Sequence, residues 1–76
     1  MRANSVVSPT APPAVVHTFV HCDVPALRTI AVSVEEDIVV LHGRLPSYYL
    51  KQLAQERILP HLDGRGLENR IVVVQH

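Results

Sequence analysis

The chain has no tryptophan, a single phenylalanine, a single cysteine and three glycines among its 76 residues. One cysteine, Cys22, excludes an intramolecular disulfide, so the fold is held by packing alone and suits a reducing compartment. Net charge is also missing: seven Lys and Arg balance seven Asp and Glu. The cations Arg2, Arg28, Arg44, Lys51, Arg57, Arg65 and Arg70 form no run. Neither composition nor clustering supplies the basic field that nucleic-acid binding requires, and no nucleic-acid partner is expected. No apolar run approaches the ~20 residues that span a bilayer, and "MRANSVVSPTAPPAVV" lacks the continuous apolar stretch of a secretory leader. The expectation is a cytoplasmic protein, or an envelope one if a leader has been removed.

What is present is a globular composition, 47% hydrophobic and 18% charged, on a chain long enough for one small domain. Chains of this size bury only about 60% of the surface that their unfolded form exposes. Every core residue therefore counts.

Residues 1–13 include "SPTAPP" and show no apolar periodicity, which predicts a polyproline-like tail preceding a domain over 14–76. "AVVHTFVHC" places Val15, Val16, Phe19, Val20 and Cys22 on one face at helical spacing, although its β-branched content also suits a strand. A short helix is expected, ended by Pro25, because the residue before proline is driven from helical geometry.

"RTIAVSVE" alternates, with Ile30, Val32 and Val34 on one face. With Glu36 and Asp37 as a two-residue turn, Val34 pairs with Val39, Val32 with Leu41 and Ile30 with Gly43. Ser33 then opposes Val40, Ala31 opposes His42 and Thr29 opposes Arg44 on the other face. The turn requires a left-handed residue, expected at Asp37. Gly43, on the inner face without a side chain, admits a close approach, expected from the following helix. Ser47 is a good N-cap for that helix, whose stripe runs through Leu50, Leu53, Ala54, Ile58 and Leu62. Pro60 terminates it, and Gly64 or Gly66 supplies the stop. "LENRIVVV" predicts a third strand, Leu67, Asn69, Ile71 and Val73 facing in, and Glu68, Arg70, Val72 and Val74 facing out.

The expected class is α+β in the order α-β-β-α-β, two helices packed on one face of a small three-stranded mixed sheet. A right-handed crossover makes the third strand parallel to the second and residues 38–45 the central strand.

"VSVEEDIVVLHGRLPS", "YYLKQLAQ" and "ENRIVVV" together resemble the BON domain, the family of bacterial osmotic-shock and nodulation proteins. The resemblance runs from Ala26 to Val74 and rests on Val32, Val34, Val39, Leu41, Gly43, Ser47, Ala54, Asn69, Ile71 and Val73. It implies two helices on a small mixed sheet and a non-catalytic role in the bacterial envelope, where binding to phospholipid has been proposed for the family. The family's turn glycine falls at Asp37 here, and "DGRGLEN" departs from its usual glycine-valine after the second helix. Members often carry a leader or a second copy of the domain, neither of which this sequence shows.

No constellation points to catalysis or a cofactor. His17 and His21 are four residues apart with Cys22 adjacent, but on a helix Cys22 points about 100° away from His21, and on a strand the histidines stand ~13 Å apart. Two solvent-facing imidazoles and a half-buried thiol are the expectation. Glu35, Glu36 and Asp37 cluster on a turn, where solvation suffices as an explanation. Asn69 sits on the apolar face of its strand and is expected to bond backbone, because a buried amide left unpaired costs about 1–3 kcal/mol. Gly43 and Ser47 are likewise structural.

The candidate binding surface is the outer sheet face with the start of the second helix: Val40, His42, Arg44, Tyr48, Lys51, Val72 and Val74. Tyr49 is expected to pack beside Leu53, leaving Tyr48 the exposed tyrosine. The partner expected is a phospholipid or membrane surface; the alternative is another protein or a second copy of the chain, met through the outer sheet face or an open strand edge.

Overall fold

The structure, a computed structural model, describes residues 13–74. The tail expected over 1–13 lies, apart from Pro13, outside the described residues. Two strands follow a pair of short 3-10 segments, Ala14–His17 and Pro25–Thr29: β1 (Ala31–Glu35) and β2 (Ile38–Leu45). Then come α1 (Tyr48–Ile58), a 3-10 turn at Leu59–His61, and β3 (Gly66–Val73). The class is α+β with one three-stranded mixed sheet in the order β1-β2-β3. β1 runs antiparallel to β2, and β3 runs parallel to it, so β2 is central as expected.

The alternating apolar pattern fixes the register. Val34 pairs with Val39, Val32 with Leu41, Ser33 with Val40 and Ala31 with His42. Thr29 does not continue the strand opposite Arg44, because it closes the second 3-10 segment, its hydroxyl donating to the Ala26 carbonyl at 2.9 Å. Across β2 and β3, Val39 faces Leu67, Leu41 faces Asn69 and Leu45 faces Val73.

The hairpin turn differs from expectation in one residue. Glu36, not Asp37, takes the left-handed conformation, with φ 57°, so the positive φ falls at the first central position, as in a type II′ turn. Asp37 is tied down instead: its carbonyl accepts the Gly66 amide at 2.8 Å and anchors the start of β3.

The first expected helix is replaced by 3-10 turns. Its backbone bonds step three residues at a time, Val16 to Pro13, Thr18 to Val15, Val20 to His17 and Cys22 to Phe19. Four β-branched residues, Val15, Val16, Thr18 and Val20, lose side-chain freedom in an α-helix. The Thr18 hydroxyl further stabilises the tight turn by donating to the Val15 carbonyl at 2.6 Å. The tighter winding buries Val15, Phe19 and Cys22 and leaves Val20 49% exposed, where the helical pattern put it on the inner face. Val24 is extended before Pro25, which starts the second 3-10 segment and brings Leu27 fully into the core.

Ser47 caps α1, its hydroxyl accepting the Leu50 amide at 3.2 Å. Ala54 and Ile58 are fully buried, and Leu50, Leu53 and Leu62 pack against the same core. Pro60 lies in the 3-10 turn that ends the helix, and Gly64, at φ 85°, turns the chain into β3. The core thus lies on one face of the sheet, where Val39, Leu41, Leu45 and Ile71 meet α1 and the two 3-10 segments. At Gly43 (φ 151°) the close neighbour is Ile30 rather than α1: a β-carbon there would stand 2.8 Å from Ile30 Cδ1.

Candidate binding surface

Two adjacent aromatics define the most exposed apolar feature of the described residues. Tyr48 is 68% exposed and Tyr49 73%, whereas Leu50 and Leu53 on the same helix pack against the core. Tyr49 therefore does not pack beneath Leu53 as expected. Helical spacing aligns the two residues, yet the Tyr49 ring stays mostly in solvent. Lys51 stands one turn after Tyr48, half-buried, and Arg44 is exposed at the end of β2. No helix among the described residues is long and apolar enough to cross a membrane.

The outer sheet face is less apolar than its sequence implies. Val40 is 1% exposed and so presents no surface, which removes it from the candidates. Ser33 and Glu68 flank it in the ladder. Arg70 pairs with Glu68 and lies within electrostatic reach of Glu35, so the charged side chains run across the face on which Val40 points. The Ser33 hydroxyl is buried beside Val40 without a hydrogen-bond partner. His42 and Val74 are half-buried, Arg44 is exposed, and Val72 and Ile38 are 55% and 41% exposed.

Asn69 has the structural role expected of it. Its Oδ1 accepts the Ile71 amide at 3.0 Å and its Nδ2 donates to Gln55 Oε1 at 3.3 Å, linking β3 to α1.

Two further clusters were not legible from spacing. Arg57, on α1, donates to Asp23 at 2.7 Å and lies 3.9 Å from Cys22 Sγ, while Arg28 Nε donates to the Cys22 carbonyl at 2.8 Å. Cys22 is buried rather than half-buried. The hydrogen bond from Arg57, and then its charge, hold the Asp23 carboxyl below its ordinary value of 3.8 and raise Arg57. Because the folded value is the lower one, the pair contributes stability above the ordinary carboxylate value and loses it as pH falls through the folded value. Asp23→Asn is expected to lower the melting temperature slightly at neutral pH and to leave it unchanged in strong acid, since an exposed pair contributes little. Melting curves of both proteins across the acid range check this.

The second cluster is an open groove of about 540 Å³ lined in part by Pro13, His17, Thr18, His61, Asp63 and Arg65. His17 and His21 are exposed, and no group of three or more His, Cys, Asp or Glu among the described residues is placed to hold a metal ion. The acids Glu35, Glu36 and Asp37 are all exposed around the hairpin turn.

No family model, curated protein or solved structure matches the chain.

Proposed function

We propose that this chain is a non-catalytic binding module that associates with phospholipid surfaces, in the manner suggested for the BON domains its sequence resembles. The observation that carries this reading is the exposed pair Tyr48 and Tyr49 at the start of α1. Tyrosine has an apolar ring and a polar hydroxyl, the combination that settles at the boundary between headgroups and acyl chains. Lys51 and Arg44 stand close in sequence on either side and supply the local cations that a chain without net charge needs to meet anionic headgroups. Because the attraction is local and exposed, it weakens as salt shortens the screening length to about 10 Å at 0.1 M.

Flotation of the purified chain with vesicles of phosphatidylcholine, with and without phosphatidylglycerol, tests the reading. Co-flotation with the anionic vesicles at low salt is expected, with at least a severalfold loss in Tyr48→Ser/Tyr49→Ser. Flotation unchanged by that double substitution, or none with either vesicle, would reject the tyrosine surface.

A second reading, contact with another protein through the outer sheet face, is supported by the exposed Val72 and Ile38 at that face.

A further inference from the structure

The two edges of the sheet are unlike. β1 has five residues and is flanked by the first 3-10 segment, whereas β3 has eight and no strand or 3-10 segment lies beside its free edge among the described residues. The Gly66 amide bonds the Asp37 carbonyl and the Val74 amide bonds the Leu45 carbonyl. Backbone groups alternate sides along a strand, so the even-numbered positions of β3 turn their amides to β2. Those of Leu67, Asn69, Ile71 and Val73 face outward. Such a row of outward N–H and C=O groups templates another strand unless it is blunted by proline, a bulge or charged side chains, lysine above all; 66–73 contains neither proline nor lysine, and its two charges, Glu68 and Arg70, are of opposite sign.

Charge selects the partner. Glu68 and Arg70 sit two apart on the same face of this edge. An antiparallel second copy with its two-fold axis at Asn69 places Glu68 of each chain opposite Arg70 of the other. That pair falls at a non-hydrogen-bonded position, where facing side chains are closest. On the inner face the same register sets Leu67 against Ile71, both apolar. Moving the axis by one residue either way sets Arg70 against Arg70 or Glu68 against Glu68, which like-charge repulsion disfavours. From this single self-complementary register we infer that β3 pairs edge to edge with a second copy of the chain, joining two sheets into one of six strands.

Asn69 acts as the latch on this edge. Its Oδ1 holds the Ile71 amide, which in the paired register is taken over by the Leu67 carbonyl of the other copy. Opening the latch opposes pairing, so the dimer forms only as concentration rises. The inference rests on the alternative of contact with a second copy of the chain, and places that contact at the β3 edge rather than on the sheet face.

Sedimentation equilibrium from low to high micromolar concentration is the test. The wild-type mass is expected to rise from 8.4 kDa towards twice that value. Glu68→Arg and Arg70→Glu should each weaken association about tenfold or more, by placing like charges opposite one another twice. An equimolar mixture of the two variants restores both opposite-charge pairs and should associate as the wild type does, as should the chain carrying both substitutions. Val72→Lys, which lies opposite Gly66 in this register, should leave association intact. A wild-type mass that stays at the monomer value overturns the inference. Association insensitive to the Glu68 and Arg70 substitutions but abolished by Val72→Lys overturns the edge register while upholding contact through the sheet face. Association insensitive to all three overturns both.

Discussion

Phe19→Ala is expected to destabilise the chain by about 3–5 kcal/mol, the cost of emptying a well-packed aromatic site. Phe19 is 2% exposed and is the chain's only phenylalanine. It joins Val15, Cys22 and Leu27 in the layer that covers the inner face of the sheet. A domain of this length holds together by only several kcal/mol, on the order of 0.1 kcal/mol per residue. The variant should therefore be largely unfolded at room temperature, lacking a cooperative transition in a urea titration followed by circular dichroism. Val20→Ala, one position along and half-exposed, should shift the same transition by no more than about 0.5 kcal/mol. A Phe19→Ala effect under about 1 kcal/mol would mean that residues 14–22 do not pack on the sheet.

Gly43→Ala is expected to cost about 2–4 kcal/mol through two separable causes. One is conformational: Gly43 has φ 151°, and a residue with a side chain held in such a region costs about 1–3 kcal/mol. The other is steric, because the added β-carbon would lie 2.8 Å from Cδ1 of Ile30, itself buried in the core, and forcing that side chain off its rotamer costs about 0.5–1.5 kcal/mol. Ile30→Val removes Cδ1, so a double-mutant cycle divides the total. Gly43→Ala should cost less in the Ile30→Val background than in the wild type, and the remainder measures the backbone strain. Equal costs in both backgrounds would remove the steric cause.

The hairpin's register over Ala31–Glu35 and Ile38–His42 was legible, though not its left-handed residue or the pairing of Thr29, because two constraints act together. A period of two puts Val32, Val34, Val39 and Leu41 on one face, and a two-residue turn then leaves one pairing that matches them. The N-cap at Ser47 followed from a local signal, and the parallel placement of β3 from the handedness of a strand-helix-strand crossover. Residues 14–22 were ambiguous between helix and strand, because helical spacing and β-branching point different ways, and the chain there winds as 3-10 turns instead. The hairpin register sets Ile30 opposite Gly43, and Ile30, not the following helix, fills the space over that glycine.

The candidate surface was legible only in part. Tyr48, Arg44 and Val72 are exposed as expected, but Val40 is buried and Tyr49 is the more exposed tyrosine. A strand's alternation states which face a valine takes, whereas the length and charge of its neighbours decide whether water reaches it. Val40 stands in the central strand between Ser33 and Glu68 and is 1% exposed. The pairing of Arg57 with Asp23 spans 34 residues of sequence, and the docking of α1 beside the second 3-10 segment, Pro25–Thr29, brings the two together.

The absence of tryptophan makes the proposed surface directly observable. Tyr48 and Tyr49 are the only tyrosines in the chain, so ultraviolet emission excited near the tyrosine band reports on the proposed contact itself. Acrylamide quenching of this emission should be efficient in solution, as the exposure of both rings requires. It should fall severalfold when phosphatidylglycerol-containing vesicles are added at low salt, and recover when salt is raised. Quenching that stays the same at every vesicle concentration would contradict the account, because no surface could then be in contact with the two tyrosines.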